Sequence, residues 1–277
     1  MTGLLDYFDR LAIIHLPDRV DRFRALSREL ANNGIDIDDP KVTIPDPPMP
    51  ESAHGYASRG VYGSFLSHLD ILETAYRDGL ETVFVLEDDA IFSKRFRKQQ
   101  STVCKHLREN PWDFCFIGHS WDPSFPNSPT SLMRYSGPFI WAHAYAVHRR
   151  IMARWIDYLQ KTTEREEGHP DGGKVYIDAA QFLFRKFNPD VICIVSSPCL
   201  SVQKGSPSSL NAQKWFKRFP FKMAVDAGRI LRDEAWRGGW LRIDGPKELR
   251  PSASIMTFGP AEPWPPLPST SRQSASC

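Results

Sequence analysis

Short apolar segments that alternate with amphipathic segments are the feature that most constrains the fold of this 277-residue chain. The segments at 11–16, 82–86 and 191–195 are strand-sized and almost uniformly apolar, which is typical of parallel strands buried on both faces. Between them, apolar residues recur at steps of three and four, as over 20–33, and this spacing predicts helices. The sequence therefore predicts an α/β fold with a mostly parallel sheet flanked by helices.

The same two patterns place further elements along the chain. Additional strands are expected at 41–44, 112–118 and 142–147, and additional helices at about 65–76, 149–161 and 176–186. Gly34 and Gly79 follow two of the helices and are expected to end them, because glycine adopts the left-handed conformation of a helix C-cap without strain.

Composition excludes few classes of function. The 35 basic and 33 acidic residues give a net charge of +2, so the bulk charge gives no reason to expect a nucleic-acid partner. The five cysteines lack the spacing of a zinc ribbon or a disulfide framework and favour free thiols in a reducing compartment. No signal peptide or membrane-length apolar run is recognisable, so a cytoplasmic location is expected.

Three consecutive carboxylates, Glu87, Asp88 and Asp89, directly follow the apolar segment 82–86. Ligands of open α/β sheets bind beyond the carboxyl ends of the strands. Like charges this close repel each other, and a divalent cation would relieve the repulsion. Carboxylate oxygens suit Mg²⁺ or Mn²⁺ that holds a diphosphate. A solvated acidic turn is the alternative interpretation.

The segment Val85-Leu86-Glu87-Asp88-Asp89-Ala90 resembles the LEDD element of glycosyltransferase family 25, which includes lipooligosaccharide galactosyltransferases and collagen galactosyltransferase domains. Four more segments resemble motifs of that family in the same order: Ile13-Ile14-His15-Leu16 with Arg19 and Arg22, Gly60 to His68, Trp112 to Gly118, and Ile177-Asp178 with the later turn Pro198 to Gln203. The resemblance covers roughly residues 11–210. His15 is a departure, since the family usually has asparagine at that position.

The resemblance implies a GT-A-like fold and an inverting transfer of a hexose, galactose above others, from a nucleotide-sugar donor such as a UDP-hexose. The acceptor would be a hydroxyl of a glycan, a lipid-linked glycan or a protein. A divalent metal, Mn²⁺ or Mg²⁺, would be held by Glu87, Asp88 and Asp89 and would act on the leaving nucleotide. Asp178 and Asp88 are the expected catalytic carboxylates.

Asp178 is the candidate base that takes the acceptor proton. Its place at the start of a predicted helix is expected to lower its pKa, which would make it a weaker base. An ordinary helix N-terminal residue is the alternative interpretation. The expected donor-binding residues are Arg19, Arg22, Ser67, His68 and Gln203, each of which could instead be a solvated or packed side chain.

The sequence predicts three regions: a GT-A-like catalytic domain at 8–212, a basic aromatic extension at 213–250, and a disordered Pro/Ser-rich tail at 251–277. The aromatic residues of the extension are expected to pack back on the domain. Peripheral contact with an anionic membrane surface is the second interpretation, and nucleic acid is the least favoured.

Two other functions stay open. A metal-dependent phosphoesterase could use the carboxylates with His68 and His119, although no HxD, HxH or DxH cluster is present. A non-catalytic relative that binds a sugar or a protein partner is the other.

Overall fold

The computed structural model describes residues 3–119, 131–137, 139 and 141–204, which form a mixed sheet with helices on both faces. The strands are β1 (Arg10–Ile14), β2 (Val42–Thr43), β3 (Thr82–Glu87), β4 (Ala90–Phe92), β5 (Phe114–Gly118), β6 (Ser131–Arg134), β7 (Ala144–His148), β8 (Cys193–Ser197) and β9 (Ser201–Gln203). The helices are α1 (Val20–Asn32), α2 (Arg59–Arg77), α3 (Phe96–Glu109), α4 (Arg149–Glu164) and α5 (Ile177–Phe187).

The sheet has the order β2-β1-β3-β7-β5-β8-β6, with β4 paired to β9 and β9 also paired to β5. Along that path β2, β1, β3, β5 and β8 point the same way, whereas β7 and β6 run antiparallel to their neighbours. The predicted α/β class, with a mostly parallel sheet flanked by helices, is therefore confirmed. The antiparallel insertion of β7 between β3 and β5 was not predicted.

The apolar character of β3 follows from its central position. Val83 and Val85 belong to a core formed with helices α2, α4 and α5. Phe84 and Leu86 face the opposite core, formed with α1, α3 and the N-terminal segment. Because successive side chains of a strand point to opposite faces, a strand covered on both sides requires apolar residues at nearly every position.

Glycine ends α1 and α2 as expected. Gly34 and Gly79 have φ angles of 76° and 77°. At the end of α1, the amide of Ile35 donates to the carbonyl of Leu30, and the amide of Gly34 donates to that of Ala31. This pair of bonds is the Schellman pattern, which satisfies carbonyl groups that the helix itself leaves open.

Four elements have no counterpart in the sequence prediction: α3, β4, β6 and β9. The helix α3 buries five of its fourteen side chains, and most of its other residues are charged or polar. Its apolar face is therefore narrow, and the helical pattern is weak in the sequence. The strands β4 and β9 have three residues each and are defined by pairing with each other, from Ala90 opposite Gln203 to Phe92 opposite Ser201. The predicted extension at 213–250 and tail at 251–277 lie outside the described residues.

Candidate active site at the carboxyl edge of the sheet

The three carboxylates stand where β3 leaves the sheet. The amide of Asp88 donates to the carbonyl of Ile14 over 3.1 Å, and the amide of Glu87 donates to that of His143 over 2.8 Å. The turn is thereby fixed between the end of β1 and the residues that lead into β7. Since β7 is antiparallel to β3, its entry segment lies at the same edge as the carboxyl ends of β1, β3 and β5.

Asp88 is held by two cationic or polar partners. Its Oδ1 accepts a hydrogen bond of 2.8 Å from Arg22 Nη1, and its Oδ2 lies 2.8 Å from His15 Nδ1. The side chains of Asp88, Arg22 and His15 are 7%, 9% and 9% exposed, so the group is largely withdrawn from water. A buried carboxylate needs such partners to stay ionised. The histidine that departs from the family pattern therefore has a defined role here, which is to position Asp88.

Asp89 is less well satisfied than its neighbour. Its Oδ2 lies 3.3 Å from Arg22 Nη1, and its buried Oδ1 has no hydrogen-bond partner among the described residues. Burial, together with the nearby charges of Glu87 and Asp88, raises the pKa of Asp89 to about 7 against the attraction of Arg22. The site thus contains a carboxylate that lacks sufficient positive charge around it.

Glu87 is bounded by His68 and Gln203. Gln203 Nε2 donates to Glu87 Oε2 over 3.1 Å, and His68 Nε2 lies 3.4 Å from Glu87 Oε1. The other nitrogen of His68 lies 3.0 Å from the hydroxyl of Tyr145. Burial opposes ionisation of Glu87, but the adjacent His68, with contributions from His143 and Gln203, leaves the pKa of Glu87 below its ordinary value.

Asp178 is the second residue of α5, and it lies close enough to Glu87 for the charge of Glu87 to affect it. Its Oδ2 accepts a hydrogen bond of 3.2 Å from the amide of Trp141, and its Oδ1 accepts one of 2.8 Å from the amide of Ala179. Burial raises the pKa of Asp178 despite these bonds. The expectation that the helix N-terminus would lower this pKa is wrong, because loss of hydration outweighs the amide donors.

Two of the predicted donor-binding residues lie apart from this hydrogen-bonded group. Arg19 precedes α1, and its guanidinium donates to exposed Asp21 through two bonds of 3.1 Å. The hydroxyl of Ser67 donates to the carbonyl of Gly63. Ser67 also lines a small cleft beside His15, whose enclosed space of about 10 Å³ holds about one water molecule. The remaining walls are Ile13, Ile14, Pro45, Asp46, Pro47, Pro48, Asp70 and Ile71.

Sequence reasoning missed three residues of the site: Trp141, His143 and Tyr145. Trp141 donates its amide to Asp178, His143 accepts from the amide of Glu87, and Tyr145 contacts His68. The signal was present, since Trp141 and His143 immediately precede the strand that the structure places at Ala144–His148. It could be read only with the knowledge that this strand enters the sheet antiparallel to β3.

The residues fit a divalent cation only in part. No group of three or more His, Cys, Asp and Glu side chains within the described ranges is arranged to hold a metal ion. Both oxygens of Asp88 already have partners, whereas Asp89 offers an unpartnered Oδ1 and Glu87 lies beside it. Mg²⁺ and similar ions are commonly held by one or two carboxylates together with substrate phosphates. Asp89 and Glu87 are carboxylates of that kind, and the roles of Glu87, Asp88 and Asp89 as metal ligands stay predictions.

The described helices also bear on the membrane question. None of them combines the length and apolar character needed to cross a bilayer. The basic aromatic segment considered for surface contact, at 214–242, lies outside the described residues.

Comparisons with solved structures give only distant likenesses. A glycosyltransferase involved in the glycosylation of the major capsid of PBCV-1 is 11% identical, with a TM-score of 0.47 over 80% of this chain and 99% of that one. The 4-diphosphocytidyl-2C-methyl-D-erythritolsynthase from Anaerococcus prevotii DSM 20548 is also 11% identical, with a TM-score of 0.37 over 79% and 78%. Both TM-scores are below 0.5, and no functional conclusion depends on them.

Comparisons of sequence are more informative. Inactive glycosyltransferase 25 family member 3 of Mus musculus is 31% identical over 103 residues, which is 36% of this chain and 16% of that protein. The Homo sapiens protein of the same name is 28% identical over 147 residues, 49% of this chain and 23% of that protein. The matches thus span less than a quarter of the length of either relative.

The family described as Glycosyltransferase family 25 (LPS biosynthesis protein) matches residues 20–125, a range that includes Arg22, His68 and the three carboxylates. Asp178 and Gln203 lie beyond the matched range. Over residues 20–125, the resemblance to glycosyltransferase family 25 that the sequence motifs predict is confirmed.

Proposed function

We propose that this chain is an inverting glycosyltransferase that moves a hexose, galactose in the first instance, from a UDP-sugar to a hydroxyl of a glycan or protein acceptor. The observation that carries the proposal is the convergence of three distant motifs, since Arg22, the Glu87–Asp89 turn and Gln203 meet in one hydrogen-bonded group. The match to family 25 supports a transferase. The sugar, the nucleotide and the inverting course rest on the resemblance alone.

The donor diphosphate would lie against Asp89 and Arg22. A divalent cation held by Asp89 and Glu87, once bound, would neutralise diphosphate charge and stabilise the leaving nucleotide. Arg22 is positioned by Asp88 at 2.8 Å, so its guanidinium would need little reorganisation to contact a phosphate oxygen.

Asp178 would act as the base. The acceptor hydroxyl gives its proton to a carboxylate oxygen of Asp178 while the acceptor oxygen bonds to the anomeric carbon of the donor sugar. The bond from that carbon to the diphosphate oxygen breaks, and its electron pair leaves with the nucleoside diphosphate. Each oxygen of Asp178 accepts one amide hydrogen bond and keeps a second lone pair for the proton. The raised pKa of Asp178 favours proton uptake.

A non-catalytic binding protein is the second candidate. Both curated relatives carry the word inactive in their names. Arg22 and His15 also occupy both oxygens of Asp88. Fewer carboxylate oxygens of the acidic turn are therefore free to hold a metal ion. A phosphoesterase gains no support from the described part of the chain, where His119 Nε2 lies 2.8 Å from the carbonyl of Ser196.

The location belongs to the same proposal. We place the enzyme in the cytoplasm, beside a membrane where a lipid-linked acceptor would be presented. Fractionation of cells that express the tagged full chain tests this placement, and recovery of the chain in a secreted fraction would contradict it.

Titration calorimetry with UDP-galactose, UDP-glucose and GDP-mannose, with and without Mn²⁺, tests the donor. We expect one UDP-sugar to bind only with metal, and Asp89→Asn to abolish that binding. Asp157→Asn is the matched control, because Asp157 is 60% exposed and pairs only with Lys161 on the surface of α4.

Release of the nucleoside diphosphate then separates the two candidates. A transferase releases it in the presence of an acceptor, whereas a binding protein retains the donor intact over hours. If no nucleotide sugar binds under any metal condition, the proposed function is wrong.

A further inference from the structure

Trp141 lies between the two acidic centres of the site. Its amide donates to Asp178 Oδ2 over 3.2 Å. Two residues later, the carbonyl of His143 accepts from the amide of Glu87 over 2.8 Å. The segment that contains Trp141 is therefore bonded at one point to the candidate base and at another to the metal-binding turn, at the carboxyl edge of the sheet.

The backbone of Trp141 has an unusual conformation. Its φ angle is 77°, in the left-handed region that bulky residues rarely occupy. Conformations of this kind cost about 1–3 kcal/mol and persist only where surrounding contacts impose them. In this conformation the Trp141 amide donates to Asp178. A glycine or an asparagine would adopt this conformation at lower cost, so the tryptophan requires another explanation.

The exposure of the side chain points to that explanation. Among the tryptophans of the described ranges, Trp112 and Trp155 are 2% and 0% exposed and belong to the two cores. Trp141 is only partly buried. The described contact of its indole is with the ring of His143, at 6.0 Å between centroids and 68° between planes. The indole thus presents accessible aromatic surface next to the site instead of filling a core.

A second aromatic residue, Tyr176, is close to Asp178 in the chain. Tyr176 is the N-cap residue of α5, two positions before Asp178, and is 45% exposed. A carboxyl group with accessible aromatic rings nearby suits a ligand that combines an apolar face with hydroxyl groups. A sugar ring has both, because its axial C–H groups form a face that packs on an aromatic ring and its hydroxyls reach a carboxylate.

We propose that Trp141 binds the acceptor and that the acceptor is a carbohydrate, whose ring packs on the indole while its reacting hydroxyl is presented to Asp178. This inference rests on the proposed function, since it assigns Asp178 as the base. It selects a sugar acceptor over a hydroxylysine side chain. A sugar ring offers a flat C–H face that packs on the indole, and the flexible hydroxylysine side chain lacks such a face.

The test compares acceptor kinetics of Trp141→Ala and Trp141→Phe in the full-length chain. The donor is the nucleotide sugar found by calorimetry, and the acceptors are methyl β-galactoside, lactose, methyl N-acetyl-β-glucosaminide and free hydroxylysine. We expect Trp141→Ala to raise the acceptor KM about ten-fold, in line with loss of one aromatic packing contact. Donor Kd should stay within two-fold, because Trp141 is assigned to the acceptor, and Trp141→Phe should recover most of the acceptor KM.

Tyr76→Ala is the matched control for removal of an accessible aromatic ring. Tyr76 is 40% exposed near the end of α2, ahead of β3 and therefore at the opposite edge of the sheet. It should leave the acceptor KM unchanged. Thermal melts of each variant show whether it is folded, and saturation-transfer NMR of the unmodified chain with methyl β-galactoside and the other two glycosides detects sugar contact without turnover.

The outcomes are distinguishable. If donor binds normally but the acceptor KM of Trp141→Ala stays within two-fold, the assignment of Trp141 is overturned and the proposed function stands. If hydroxylysine is used and the glycosides are not, the carbohydrate acceptor is overturned. If the unmodified chain binds no nucleotide sugar, the proposed function and this inference both fail.

Discussion

Arg22 is the residue whose replacement should disturb the site most. It is 9% exposed, and its Nη1 lies 2.8 Å from Asp88 Oδ1 and 3.3 Å from Asp89 Oδ2. Arg22→Met keeps much of the side-chain volume and removes the charge, which leaves two buried carboxylates short of a cation. Removal of one partner of a buried ion pair costs about 3–5 kcal/mol, and we expect a loss of unfolding free energy of about that size at pH 8.

The matched control is Arg19→Met, in the same stretch of chain. Arg19 pairs with Asp21, whose side chain is 68% exposed, and exposed pairs contribute about 0.2–1 kcal/mol. Urea unfolding followed by circular dichroism gives both free energies from the midpoints and slopes. A combined Arg22→Met and Asp88→Asn variant should be less destabilised than the sum of the two single changes, because the two residues share one interaction.

The destabilisation by Arg22→Met should also depend on pH. The pKa of Asp89 is already about 7 in the folded chain, and removal of Arg22 raises it further. When the pKa of a carboxyl group is higher in the folded than in the unfolded state, the folded protein becomes less stable as the pH rises. The deficit of Arg22→Met should therefore be larger at pH 8 than at pH 5. If it lies within 1 kcal/mol of Arg19→Met at pH 8, the carboxylates do not depend on Arg22 as described.

Three further predictions concern the same edge and the cores. Without metal, Asp89→Asn should be more stable than the unmodified chain at pH 8 by at most about 4 kcal/mol, because the pKa of Asp89 changes from 3.8 to about 7 on folding. Near pH 4 the two proteins should be equally stable, and a less stable variant in melts at pH 8 contradicts the prediction. Gly118→Ala should cost about 1–3 kcal/mol in urea unfolding, since its Cβ would overlap the ring of His143 at Nε2, and an unchanged midpoint would count against that packing. Cys104 and Cys115 should resist alkylation at pH 8 until the chain unfolds, because burial raises the pKa of Cys104 to about 11 and that of Cys115 further; prompt labelling detected by peptide mass spectrometry would refute it.

The elements that local pattern defines were predictable. The strand β3 is apolar at nearly every position, and α1 shows a clear helical period that ends at Gly34. The strands β4 and β9 were not predictable, because three residues have no period and their pairing depends on residues more than a hundred positions apart. The direction of β7 was missed because its sequence records burial but not the orientation of the strand.

The candidate site shows a similar division. The position of the site was predicted from the sequence, because three carboxylates directly follow a buried strand. The partners of each carboxylate were not, since the contact of His15 with Asp88 and that of Tyr145 with His68 join segments that lie far apart in the chain. The pKa of Asp178 was misjudged because the helix start was visible in the sequence, whereas the extent of burial was not.

The bond between Gln203 and Glu87 has a consequence for how the site is made during translation. These residues are 116 positions apart, and β9 can join the sheet only after β4 and β5 are in place to pair with it. At typical elongation rates of 5–20 residues per second, roughly 6–23 s separate the synthesis of the two residues. The acidic turn is therefore among the first parts of the sheet to emerge from the ribosome, and its amide partner is among the last. A nascent chain halted before residue 203 would contain every carboxylate of the turn and still lack the strand that encloses it.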